Sequence, residues 1–484
     1  MKRLLLLAAI PLLAQTSPSP DSLQRLHTAC TAPSPELAQL RQLCDGIGGR
    51  VTGSPAYARA VQWGLQGFKA ARVEAHTESF SLRNGWNAGP LSIHIQGPMG
   101  FVPKATSWGW SLSCHGAFRV VDGGDGSTAS IQALGPKAKG AFVYLSSEPM
   151  TTAESLFNEY FDSARQVVQL HALGAAGILA QSTRPHKLLY RHIDPQTEGG
   201  AVSVLPEIQI AREDGDRLHR LLMDGPVKAA IHMTNHITGP TPAANVVAEI
   251  PGTDLKDEVV LIGAHLDSWE LGTGALDNGC NAAMVVELAR LFRVADLHPR
   301  RTVRFALFGG EEELFLGSQA YVAKHQSELN HIRAVVIYDE GLGRVTGYSM
   351  GGRPEWKPIL DAVLAPLGDG APRAHTDDAF TGTDNFDFLM EGIPNLIANQ
   401  DWTDYLPNYH AESDTFDKVD PKALHHQTEE AAVLLWGLAN APQLPKRQTR
   451  AGVESVIHAT GLEPQMRAFG LWRAWAAQQR GRKP

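Results

Sequence analysis

At 484 residues the chain is too long for one ordinary core, and its length fits roughly three domain-sized units. Its 43% hydrophobic and 19% charged residues describe a folded globular protein and exclude a fibre or a long disordered tail. A formal net charge of −8 lacks the basic excess of a nucleic-acid binder, so no nucleic-acid partner is expected.

Met1-Lys2-Arg3 is a short positive segment, Leu4 to Leu13 is an apolar run containing Pro11, and Ala14-Gln15 is a cleavage point. This pattern is a secretory signal over 1–14. The run ends well short of the roughly 20 apolar residues a membrane span needs, and no cysteine stands at the cleavage point to carry a lipid. The expectation is a periplasmic or secreted protein without a stable membrane anchor once the signal is removed. Cys30, Cys44, Cys114 and Cys280 show no CxxC spacing, against a thiolate metal site or redox motif. Cys30 and Cys44 could close a short disulfide loop, and two buried free thiols fit equally well.

After a Ser- and Pro-rich stretch, "GIGGRVTGSPAYARAVQWGLQGF" (46–68) places a turn before a helix from Ala56 to Phe68. Residues 15–116 are assigned to the first part of the main domain. From 117 to 236 the character changes to short β-like pieces, 140–147, 175–182 and 227–234, and this segment is taken as a β-rich insert. Beyond Thr238, strand-like runs (259–265, 302–308, 334–340, 395–400) alternate with helices (281–292, near 317–325, near 355–366). Runs apolar at almost every position, separated by helices, predict an α/β fold with a mainly parallel mixed sheet flanked by helices over 237–445. Such sheets bind ligands at the carboxyl ends of their strands. A basic, Trp-containing extension (446–484) packs on the body or on a partner.

Four polar motifs fall where those strands end. In "GAHLDSW", His265 and Asp267 are two apart, so both side chains leave an extended strand on one side. "GALDNGCNAA" offers Asp277 in a loop before a helix, where an Asp also serves as a simple cap. "FALFGGEEELFLGS" sets Glu311, Glu312 and Glu313 directly after a buried strand, which is electrostatically costly unless a cation neutralises them. A solvated helix start is the plainer explanation. Asp339 ends the run "AVVIYD", and His410 lies in "PNYHAESDTFDKVD". Two histidines with three carboxylates form a mixed N/O shell suited to zinc or another divalent ion, and one carboxylate shared between two ions gives the arrangement used for hydrolysis.

The run from Val259 to Leu316, with Asp339 and His410 following in order, resembles the M28 family of zinc peptidases. The resemblance extends from about Gly46 to Asp420. It implies a zinc exopeptidase-like fold with a protease-associated-like insert, two zinc ions per chain, short peptide substrates and a homodimer. Residue by residue, it implies that His265 and Asp339 bind one zinc, that Glu312 and His410 bind the other, and that Asp277 bridges them. Asp267 would orient His265. Either Glu311-Glu312 or Glu312-Glu313 could be the base-and-ligand pair. The family places Gly-Ser six and seven residues after the base, and Gly317-Ser318 satisfy this for Glu311. The expected mechanism is attack by a metal-bridging hydroxide, with Glu311 as general base and later proton donor.

Gly310 replaces the usual Ala before the pair, and Leu314 stands where Gly is common. Phe380, in "FTGTDNF", replaces a Tyr found in some relatives, so the oxyanion partner is unassigned. Gly382, Thr383 and Asp384 are the candidates to line the substrate pocket. An inactive receptor or binding protein of this fold would be expected to lack a ligand or the base, and none is missing. A one-zinc acyltransferase like glutaminyl cyclase should lack one ion's ligands, against which His265 and Asp339 count.

Overall fold

A computed structural model describes residues 20–484; the secretory signal expected over 1–14 lies outside them. The strands are β1 Glu74–Leu82, β2 Trp86–Asn87, β3 Leu91–Gln96, β4 Ala105–Ser107, β5 Cys114–Asp122, β6 Ala141–Leu145, β7 Gly177–Gln181 and β8 Glu207–Ile210. There follow β9 Val227–Met233, β10 His236–Ile237, β11 Thr241–Ile250, β12 Leu255–His265, β13 Arg301–Phe308, β14 Ile332–Ile337, β15 Val345–Ser349 and β16 Asn395–Gln400.

The main sheet has the order β1-β11-β13-β12-β14-β16-β15. Its centre, β13-β12-β14-β16, is parallel, whereas β1, β11 and β15 are antiparallel to their neighbours. Residues 259–265 of β12 and all of β13 are buried, as expected of strands covered on both faces. Val260, Ile262 and Ala264 join the larger core with the helices Pro55–Ala70, Cys280–Val294 and Pro421–Asn440. Val259 and Leu261 face the other way, against Tyr321, Val322 and Phe388. The helix Pro55–Ala70 starts on cue: the Ser54 side chain accepts the Tyr57 N–H, and Pro stands in the first turn.

The insert starts earlier than residue 117. β3 pairs with β9 and β4 with β8, so residues 91–107 belong to a second seven-stranded sheet, β3-β9-β5-β6-β7-β8-β4. The insert hangs on a two-stranded neck in which Trp86 and Asn87 pair with Ile237 and His236. The edge strand β3 alternates buried and exposed residues, and β4 is only three residues long, both weaker signals than the continuous burial of β6. The helices Thr128–Leu134, Ala153–Ala172 and Arg212–Asp224 make this unit α/β, with more helix than its β-rich composition suggested.

The C-terminal extension packs on the body, burying Val453, Leu462, Met466 and Trp475. Arg480 ties it to both units by pairing with Asp387 of the main domain (2.7 Å) and Glu198 of the insert (2.9 Å). All four cysteines are buried and unpaired, so Cys30 and Cys44 form no disulfide.

Candidate metal centre

His265 is the last residue of β12, and Asp339 follows β14 by two residues. Both therefore lie at the carboxyl edge of the parallel strands, where chain direction gathers loop side chains. His265 Nε2 lies 3.1 Å from Asp277 Oδ1 and 2.9 Å from Asp339 Oδ1. His410 Nε2 lies 3.3 Å from Asp277 Oδ2 and 2.9 Å from Glu312 Oε2. The two oxygens of Asp277 thus face different histidines, and each histidine has one further carboxylate of its own. Glu311 joins the side of His265 and Asp339.

The triple glutamate divides by orientation. Glu311 and Glu312 line the cleft, whereas Glu313 is 0% exposed and belongs to neither ligand group. Leu314 and Phe315 then take left-handed backbone (φ 68° and 67°), which accounts for the glycine common at the first of these positions.

Asp267 differs from expectation. His265 Nδ1 faces the Asp267 backbone carbonyl at 3.1 Å, and the nearer carboxylate oxygen is 3.7 Å away. That carboxylate instead accepts the Thr52 hydroxyl (2.9 Å) and the backbone N–H groups of Glu312 (3.2 Å) and Glu311 (3.4 Å). It shapes the glutamate loop more than it orients the imidazole. Thr52 also accepts the Gly310 N–H at 2.9 Å, so the early "GRVTGS" segment braces this loop. Arg50 of the same segment donates to the carbonyls of Leu266, Thr273 and Gly274.

Gly382 and Thr383 line the cleft, and Asp384 lies behind them at 0% exposure. Sequence reasoning passed over Asp414. Its carboxylate accepts three consecutive backbone N–H groups, from Ala275 (3.1 Å), Leu276 (2.7 Å) and Asp277 (3.1 Å), and so fixes Asp277. Its position in the quoted "HAESD" run was the available signal. Also unanticipated are Leu156, Phe157 and Tyr160 from the insert and Phe469 from the extension, which wall the cleft with Trp402 and Phe380.

The donor set fits divalent ions. Asp277, Glu311, Glu312 and Asp339 converge with two imidazoles, and Arg50, a nearby permanent cation, is occupied by carbonyls. Asp277 Oδ2 and Glu312 Oε1 are buried without a hydrogen-bond donor. Burial, and then the Asp339 carboxylate, raises Glu311 well above the usual carboxylate range. Burial opposes the His410 charge, yet Glu312 and Asp277 raise its pKa to about 9. Buried carboxylates that pull this strongly on imidazoles call for positive charge, and a mixed N/O shell suits zinc.

Fold and site together define a hydrolase of the zinc exopeptidase fold. Residues 245–435 match the family model for peptidase family M28. That match over the main domain supports a zinc exopeptidase. It is 26% identical over 422 residues to carboxypeptidase Q of Bos taurus, covering 84% of this chain and 86% of the relative. A peptidase M28 precursor from Shewanella amazonensis superimposes with a TM-score of 0.79 at 25% identity, covering 88% of this chain and 98% of the other. BSAP, a zinc aminopeptidase from Bacillus subtilis, shares the fold with a TM-score of 0.65 at 17% identity, over 83% of this chain and 93% of its own. No helix among the described residues is long and apolar enough to cross a membrane.

Proposed function

We propose that this peptidase is an exported di-zinc exopeptidase that hydrolyses dipeptides or removes terminal residues from short peptides. His265 and Asp339 hold one ion, Glu312 and His410 the other, and Asp277 spans both. The observation that carries this reading is the placement of the Asp277 oxygens, one 3.1 Å from His265 and the other 3.3 Å from His410. Bound zinc supplies polarisation of the scissile carbonyl and a lowered pKa for water.

Glu311 takes a proton from the attacking water on its carboxylate and returns it to the departing amine. The hydroxyls of Tyr160 and Tyr409 lie 2.8 Å apart and both rings line the cleft. Their mutual bond uses one phenol hydrogen and leaves the other to donate to the substrate's carbonyl oxygen, a role closed to Phe380. The walls of Phe157, Phe380, Trp402 and Phe469 suit an apolar or aromatic side chain. No lysine or arginine among the described residues lines the cleft, so a free substrate carboxylate has no side-chain cation to meet.

The test compares metal content and dipeptide hydrolysis for the wild type and Glu311→Gln. Two zinc ions per chain in both, with turnover in the wild type alone, is the expected result; surviving turnover in the variant, or activity without metal, overturns the reading. Full metal with lost turnover in Glu312→Gln would shift the base by one residue. In a panel of blocked dipeptides, capping the carboxylate should be tolerated better than capping the amine.

A further inference from the structure

The insert reaches the metal centre itself. Its segment 189–192 runs antiparallel to residues 409–412 and forms a short ladder with them. Arg191 N–H donates to the His410 carbonyl (3.1 Å), Glu412 N–H donates to the Leu189 carbonyl (3.0 Å), and Tyr190 bridges to Ala411. The Arg184 guanidinium donates to the Tyr409 carbonyl at 3.2 Å. His410 adopts left-handed backbone (φ 56°), a conformation that a non-glycine residue keeps only where its surroundings enforce it. Here the enforcing partner belongs to the insert.

The contact extends to the ring. His410 Nδ1 lies 3.0 Å from the Arg191 carbonyl and 2.9 Å from His192 Nδ1, while Nε2 faces Asp277 and Glu312. A carbonyl at Nδ1 requires the hydrogen there, which leaves the Nε2 lone pair for a metal. His192 is 1% exposed and held by the rings of Tyr160 and Tyr190, at centroid distances of 4.4 and 5.0 Å. Arg191 is itself fixed, with its guanidinium 2.6 Å from Glu270 and 2.9 Å from Thr106 Oγ1.

We infer that the insert's 189–192 segment is a working part of the metal centre, with His192 as a positioning residue that orients His410 for the ion held with Glu312. This rests on the di-zinc reading above. It means that docking of the insert and retention of that one ion are linked: each stabilises the other by the same factor. The ion held by His265 and Asp339 joins the linkage through the shared Asp277.

The experiment is zinc stoichiometry of the full chain during dialysis against increasing EDTA, with melting temperature followed in parallel. His192→Phe keeps the ring volume and removes the nitrogen. It should release one zinc at an EDTA concentration at least tenfold lower than the wild type does, release the second only at a higher EDTA concentration than the first, and melt normally in excess zinc. His192→Asn, which can again present a polar atom to Nδ1, should restore part of the difference. Simultaneous, unchanged release of both ions from His192→Phe overturns the inference. Hydrogen exchange on the wild type guards against a variant that fails to fold: zinc should protect the amides of Arg191 and Glu412 together, and protection of Glu412 without Arg191 overturns the linkage. A wild type that never holds two zinc ions sinks the di-zinc reading, and this inference with it, whereas a normal two-zinc wild type with an indifferent His192→Phe sinks the inference alone.

Discussion

The two seven-stranded sheets share one directional plan. Each has two antiparallel strands, then four parallel ones, then a final antiparallel edge: β1-β11 before β13-β12-β14-β16 and β15, and β3-β9 before β5-β6-β7-β8 and β4. At the carboxyl ends of the main sheet stand carboxylates and imidazoles whose polar atoms are left for an ion. At the matching ends of the insert stand hydroxyls already spent on the backbone: Ser146 donates to the Gly124 carbonyl and Ser147 to that of Gln181, at 2.9 and 3.0 Å. The architecture offers a place for chemistry twice, and side-chain accounting decides which place is used.

The contrast can be broken first at Asp277. Asp277→Asn removes a charge from a carboxylate that faces both histidines, and should lower turnover by about 10³-fold or more while metal analysis shows fewer than two ions per chain; unchanged metal content would remove the distinction between the two sheets. Next is Asp414→Ala, which strips the acceptor from three backbone N–H groups. A loss of about 3 kcal/mol in denaturant unfolding and a fall in activity of roughly 10- to 100-fold are expected.

A third test asks how the main domain handles a buried acid that has no ion. Glu36 accepts the Thr428 hydroxyl at 2.6 Å, and burial raises its pKa to about 8. The folded state therefore holds this proton more tightly than the unfolded chain. The associated stability is present below pH of about 4.5 and is lost as pH rises toward 8, so Glu36→Gln should flatten the fall in unfolding free energy across that window. An unchanged slope would mean that Glu36 ionises freely. The smallest effect is expected at Ser147→Ala, with about 1 kcal/mol of stability lost and peptidase activity unaltered. A large activity loss there would show that the insert's strand ends take part after all.

Much of the main domain was legible because its signals are local. The runs 259–265 and 334–340 are apolar enough to be read as buried strands, and His265 and Asp339 stand where those strands stop. The spacing of Gly317-Ser318 pointed to Glu311 rather than Glu312 as the base, through the family resemblance alone. The start of the insert was not legible, because "LSIHIQ" and "ATS" become strands only by pairing with β9 and β8, more than a hundred residues later. Asp414, Tyr160 and His192 were missed for a related reason: each acts on a residue that the fold, rather than the sequence, brings to it. Asp267 was singled out from the HxD spacing, but its hydrogen bonds run to the glutamate loop through a contact that strand periodicity does not reveal.

The two-residue neck at Trp86–Asn87 and His236–Ile237 brings the entry and exit of the insert side by side. In chain topology the insert is a cassette: it can be exchanged without cutting a strand of the host sheet. The ladder to His410 sets a condition on that exchange. A replacement cassette would have to deliver a carbonyl to the same imidazole, so grafts that match the neck alone should fold on the host and yet load metal poorly.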